Sequence, residues 1–214
     1  RDRSVSRGLG DVYKRQHVDR ADIGKMEYDY YLCAEQCGIM MSECNLFPSG
    51  KCSGYFGTKR FDRKNQHGEM ERLHMLTVAA LLELDFEQPV LDYQDLMKLT
   101  KIITNNSPED LENMYRRMCF NVYAHNRDDH AKNFSFLYEE EKKCWRLSPA
   151  YDLTYSTTYY GEHTTTVAGN GKNLGSKELI FVGTQAGLSK EKCRSIAVEI
   201  KNCVSDMLSE YLNP

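Results

Sequence analysis

The feature that most constrains this chain lies between residues 107 and 153. A helix, a loop crowded with ionisable side chains and a two-stranded hairpin follow one another there with almost no linker. Ser107 is placed to cap the helix, Pro108 suits its first position, and Glu109 and Asp110 favour the positive end of its dipole. Leu111, Met114, Tyr115, Met118, Cys119 and Val122 recur at helical spacing as one buried stripe, which predicts a helix to about Ala124. The methionines in it are packing residues. The stretch "AHNRDDHAKNFSFL", residues 124–137, then sets two carboxylates, an imidazole, an ammonium and an amide between two apolar elements. Phe134, Phe136 and Tyr138 alternate as in a strand, "EEEK" turns, and "CWRLS" returns. Such a hairpin brings Asn133 and Pro149 to the same end.

These residue types match the needs of phosphoryl transfer from ATP. A carboxylate must accept or orient the proton of the attacking hydroxyl, oxygen ligands must hold Mg2+, and catalysis is mostly positioning and electrostatics. Arg127-Asp128 and Asn133 have the spacing R-D-x-x-x-x-N of a kinase catalytic loop, in which the Asp is the base and the Asn binds metal. Asn126 stands where those kinases usually carry His. Asp152 follows the hairpin, where a second metal carboxylate belongs, within Tyr151-Asp152-Leu153 rather than Asp-Phe-Gly. Asp129 reads as a solvated or structural neighbour, and His130 as a residue that fixes the loop by packing or hydrogen bonding. His74 reads as half-buried structure on an apolar helix, and His125 as a partner of a helix dipole.

Elsewhere the pattern predicts a helix over 27–38 ended by Gly38, and two short strands, "IMMSECNLF" and "CSGYFGTKRF", around Pro48-Ser49-Gly50. Leu73, Leu76, Thr77, Ala80, Leu81 and Leu84 fit one helical stripe. A further helix should start with Asp92 as its cap and bury Leu96, Leu99 and Ile103. Residues 156–175, rich in Thr, Gly and Asn, read as a long loop, and helices close the chain near 176–186 and 190–212. A net charge of −3 gives no global basic field for nucleic acid or anionic lipid, and no apolar run reaches membrane-spanning length. The eight cysteines form no C-x-x-C pair. A zinc cluster of Cys33, Cys37, Cys44 and Cys52 fits no common spacing, so reduced, half-buried thiols of a cytoplasmic protein are expected.

The first residues read differently. Gly8 and Gly10 open a G-x-G, but Tyr13 stands where the third glycine belongs. "DVYKRQ" is similar to the translation of a transposon end used in preparing sequencing libraries, so residues 1–16 are read as an assembly-derived segment. Residues 17–66 then form a small strand-containing part and 67–214 a mostly helical one, an α+β architecture.

"HNRDDHAKNFSFL" and "WRLSPAYDL" closely resemble the HipA-type serine/threonine kinases, toxins of bacterial toxin–antitoxin pairs. "EYDYYLCAEQCGI", "FGTKRFDR", "ERLHMLTVAALL" and "HTTTVAGNGKN" resemble family segments in family order, so the resemblance runs from about residue 20 to the end. It implies a protein-kinase-like fold, a remnant of the smaller lobe followed by a helical larger lobe. It implies Asp128 as base, and Asn133 and Asp152 as Mg2+ ligands. His130, Ala131, Lys132 and Asn133 would line the phosphate side of ATP, with Tyr151 beside the metal. Lys59, Arg60 and Phe61 would form the hinge at adenine, largely through backbone groups. The family's phosphate-covering loop and strand lysine find no counterpart here, and the glycines at 169, 171 and 175 come after the metal carboxylate. The implied partners are a protein substrate and a helix-turn-helix antitoxin, with DNA reached only through the antitoxin. Two other readings are a catalytically silent antitoxin-binding fragment and a metal-dependent nuclease or phosphodiesterase. For the latter, no basic, aromatic-interleaved track is present.

Overall fold

The computed structural model describes residues 11–13, 22–66, 69–84, 91–158 and 161–212. The first strand, β1 (Asp11–Tyr13), runs antiparallel beside the strand that ends at Lys59, with Val12 opposite Thr58. The rest of the segment 1–16, with its glycine pair, lies outside the described residues. Helix α1 (Ile23–Gln36) begins a turn earlier than the apolar pattern indicates. It ends as expected. Gly38 adopts φ +68°, and the N–H groups of Gly38 and Ile39 donate to the carbonyls of Glu35 (2.9 Å) and Ala34 (3.0 Å), which closes the last turn. Strands β2 (Cys44–Phe47) and β3 (Tyr55–Lys59) pair antiparallel around the Pro48 turn, giving a sheet of order β1-β3-β2. A ribbon of β4 (Arg63–Gln66) and β5 (Glu69–Arg72) follows, and all of β5 is exposed.

The stripe from Leu73 to Leu84 is not one helix. Met75–Thr77 form β6, and only Val78–Leu81 are helical (α2). Pairing with a later strand decides this: Leu76 stands opposite Phe136, and cross-strand contacts outweigh a helical stripe none of whose members is fully buried. His74 is exposed and sets its ring edge against Trp145, 5.2 Å between centroids, rather than lying on a helix.

Strand β7 (Leu91–Asp92) leads into α3 (Tyr93–Ile103), whose Asp92 cap accepts from the Gln94 N–H at 2.8 Å. Leu96 is fully buried, while Leu99 and Ile103 are half-buried. Helix α4 (Pro108–Tyr123) has the expected Ser107 cap and buries the whole expected stripe. A 3-10 turn (Ala131–Asn133) separates the polar loop from the hairpin β8 (Ser135–Glu139) and β9 (Cys144–Leu147), and β6-β8-β9 form one sheet. The segment 156–175 contains β10 (Thr165–Thr166), which lies parallel to β7 with Thr165 opposite Leu91. Helices α5 (Ser176–Gln185), α6 (Lys190–Met207) and α7 (Ser209–Leu212) finish the chain, the last two separated at Leu208 where one helix was expected. One core joins Tyr30 and Cys33 of α1 to Met114 and Phe120 of α4 and Ile200 and Val204 of α6. No helix among the described residues is long and apolar enough to cross a membrane.

Candidate active site

The loop after α4 is held from below by a buried polar network. Asp129 is 0% exposed. Its Oδ2 accepts from the Tyr93 hydroxyl (2.9 Å) and lies 3.1 Å from His163 Nδ1, while its Oδ1 accepts from the Thr165 N–H (3.0 Å). The Thr165 hydroxyl donates to the Asp129 carbonyl. The network continues through Tyr93, whose oxygen accepts from Asn121 Nδ2 (2.8 Å), and Asn121 Oδ1 accepts from Asn126 Nδ2 (3.0 Å). Burial is the main cause that raises the Tyr93 phenol well above its usual range, and the Asp129 charge adds to it. Asp129 is therefore structural and not solvated: it ties the loop to α3 and to the segment 156–175. Thr164 adds two bonds to the Arg127 carbonyl, from its N–H and its hydroxyl, each 3.0 Å.

Above this base, Asp128 is exposed, with Oδ1 3.9 Å from His130 Nε2. Asn133 Nδ2 donates to the Asp128 carbonyl (2.8 Å), which closes the loop on itself and leaves the Asn133 amide oxygen as the group's acceptor. His130 Nδ1 is buried without a hydrogen-bond partner, Ala131 is buried, and Lys132 is exposed. The hairpin exit comes to the same place. The Tyr151 hydroxyl donates to the Lys132 carbonyl (2.7 Å), and Asn126 Nδ2 lies 3.4 Å from the Asp152 carbonyl. Asp152 has φ +59°, a left-handed conformation that a non-glycine residue holds only when its surroundings fix it. His125 also has a positive φ, +53°, and its carbonyl accepts from the Ser156 N–H (3.1 Å). The dipole role expected for His125 is not what its surroundings favour: burial first, then Arg127 and His163, lower its pKa and disfavour the cation.

A cavity of about 270 Å³ opens beside the hairpin exit. Lys59, Arg60 and Phe61 line one side, and Ala150, Tyr151, Asp152 and Leu153 line another. The Phe61 and Tyr151 rings, both in its lining, meet with centroids 5.4 Å apart. Arg60 is held by Asp62 through Nε–Oδ1 (2.8 Å) and Nη2–Oδ2 (2.6 Å), and Lys59 pairs with Glu43 at 3.3 Å. The structure thus joins Lys59, Arg60 and Phe61 to Tyr151 and Asp152. Asp128, His130, Ala131, Lys132 and Asn133 are not part of the cavity wall and sit in the adjoining loop, linked to it through Tyr151 and Asn126. Carboxylate and amide oxygens at Asp152 and Asn133 suit a hard cation such as Mg2+.

The residues that sequence reasoning misses here are Tyr93, Asn121, His163 and Thr165. They come from three separate segments, so no local motif unites them. The signal available was Asn121, an amide fully inside the apolar face of α4. The four cysteines considered as a zinc cluster do not gather: Cys33 and Cys37 meet Cys203, while Cys44 and Cys52 bond locally to the carbonyls of Ser42 and Gly54.

A strand-containing part, a connecting stretch at a cavity, and a helical part whose polar loop and hairpin meet beside it define a kinase-like α+β fold. The chain belongs to the HipA-like C-terminal domain family, whose model matches residues 11–207. It is similar in structure to HipA of Shewanella oneidensis MR-1, solved with HipB and operator DNA, with a TM-score of 0.74 and 17% identity, covering 94% of this chain and 51% of that one. It thus spans about half the length of that HipA chain. It is also similar to the Helicobacter pylori proinflammatory kinase CtkA, with a TM-score of 0.55 and 10% identity, covering 93% of this chain and 88% of that one. No curated protein sequence is a significant match.

Proposed function

We propose that this domain serves an ATP-dependent serine/threonine protein kinase of the HipA type. The observation that carries the reading is the junction at Tyr151-Asp152. One face of it lines the cavity with residues 59–61, and its other contacts run to the loop that bears Asp128 and Asn133. In this reading adenine lies against Phe61 and Tyr151 and meets backbone groups of residues 59–61. Asn133 and Asp152 hold Mg2+, which supplies charge neutralisation at the phosphates. Asp128 takes the proton of a Ser or Thr hydroxyl as that oxygen bonds to the γ-phosphorus. The bond from that phosphorus to the bridging oxygen breaks, and ADP leaves. His130, Ala131 and Lys132 line the phosphate side. The buried Asp129 network keeps Asp128 in place without touching the reactants. The relative solved with HipB supports a helix-turn-helix antitoxin as partner, with operator DNA contacted through it.

The test is transfer of label from γ-labelled ATP to protein by the full-length protein that carries this domain, with Mg2+. Asp128→Ala should lower the rate about 100-fold or more while leaving ATP-dependent stabilisation in place. Transfer at the unaltered rate by Asp128→Ala removes it as the base. If the unaltered protein neither transfers phosphate nor is stabilised by ATP, the kinase reading falls.

A further inference from the structure

Three thiols converge outside the lining of the cavity just described. Cys33 lies within α1, Cys37 caps that helix one turn later, and Cys203 comes from α6. Their sulfurs all lie within 4.8 Å of one another, with Cys33 and Cys37 fully buried and Cys203 partly exposed. Cys33 Sγ and Cys203 Sγ are 3.8 Å apart, and Cys203 Sγ stands 3.7 Å from Met207 Sδ, one turn further along α6. Burial is the leading cause that pushes the Cys203 thiol up to about 11. A thiol shifted in that direction is a poor nucleophile as it stands.

The geometry points to a zinc site in which Cys33, Cys37 and Cys203 are the protein ligands. The spacing carries the argument. Zinc binds thiolate at about 2.3 Å, and tetrahedral angles then set sulfur atoms about 3.8 Å apart. That is the distance already present between Cys33 and Cys203, and the other two pairs lie within 4.8 Å, so metal entry needs a modest closing of the cluster. The donor set is sulfur throughout, which selects a thiophilic cation over Mg2+ or Ca2+. Charge favours the divalent ion: three thiolates leave a net charge of −1 with Zn2+ and −2 with Cu+, and buried net charge is costly. Binding releases one proton from each of the three thiols, and a fourth ligand is to be had from water or from Met207, whose sulfur stands beside that of Cys203. The carbonyl end of α1 also favours a cation there. Such a site clamps α1, next to the strand-containing part, onto the long helix of the helical part. It does not depend on the kinase reading.

The test uses the whole chain, stripped of metal, kept reduced with a phosphine, and then given Zn2+ or Cd2+ and desalted. Native mass spectrometry should find one Zn2+ per chain, and Cd2+ should give a thiolate-to-metal charge-transfer band. Maleimide labelling of Cys203, mapped on peptides, should slow about tenfold at ten times the dissociation constant, with Cys144 labelling unchanged. Cys203→Ser should lose the bound ion and the band, and Cys144→Ser should keep both. No zinc retained by the unaltered chain, retention unaffected by Cys203→Ser, or retention of Cu+ alone overturns the assignment. The labelling experiment decides the matter even if Cys203→Ser does not fold.

Discussion

Replacing Asp129 tests the buried network under the loop. The carboxylate accepts from the Tyr93 hydroxyl and the Thr165 N–H, and it lies at hydrogen-bonding distance from His163. Tyr93 oxygen already accepts from Asn121, so its own hydrogen is committed to Asp129. Asp129→Ala strands the Tyr93 and Thr165 donors in a site with 0% exposure, and an unsatisfied buried donor costs about 1–3 kcal/mol. Two of them give roughly 4 kcal/mol, reduced if water enters the gap. Asp129→Asn keeps the shape. Its oxygen can serve the Thr165 N–H while its NH2 faces His163 Nδ1 and the Tyr93 oxygen, so the Tyr93 hydrogen alone is lost, at about 2 kcal/mol. Urea unfolding at neutral pH, followed by circular dichroism, gives both values. The expected order is Ala worse than Asn, by about 2 kcal/mol. A loss below about 1 kcal/mol for Asp129→Ala would refute the claim that this carboxylate holds the loop.

Tyr151→Phe removes the bond to the Lys132 carbonyl but keeps the ring against Phe61; stability should fall by about 1 kcal/mol, measured by urea unfolding, and Tyr151→Ala should cost more. Gly24→Ala should destabilise although alanine is the better helix former by about 1 kcal/mol. A Cβ there would stand 2.4 Å from the Gly54 carbonyl oxygen, a backbone atom that cannot step aside; a raised melting temperature would contradict this. Asp62 carries a pH signature. The hydrogen bond from Arg60, opposed by partial burial and helped by the charges of Arg60 and Arg63, holds its carboxyl below the ordinary value. Its contribution is complete above the unfolded pKa of about 4 and is lost as pH falls through the lower folded value. Asp62→Asn should therefore be less stable at pH 7 by about 1 kcal/mol, and the difference should shrink below about pH 4. Urea titrations across that range check it.

The sequence by itself determined the elements whose signals are local. α4 is written in its Ser107-Pro108 start and its apolar stripe, α1's end in Gly38, α3's start in Asp92, and the hairpin in the alternation of Phe134, Phe136 and Tyr138. The spacing of Arg127, Asp128 and Asn133 marked the loop as the candidate site because it lies within one continuous segment. Tertiary structure decided what depends on distant partners. Leu73 to Leu84 has a helical period, yet Met75–Thr77 became a strand because β8 lay ready to pair with it. Asp129 is indistinguishable in sequence from its solvent-facing neighbour Asp128. Only the meeting of Tyr93, His163 and Thr165 around it makes it a buried anchor. The same holds for Cys33, Cys37 and Cys203, which two helices bring together from opposite ends of the chain. Short-range propensity acts through a residue's near neighbours, whereas burial and hydrogen bonding depend on whichever segment the fold sets against it.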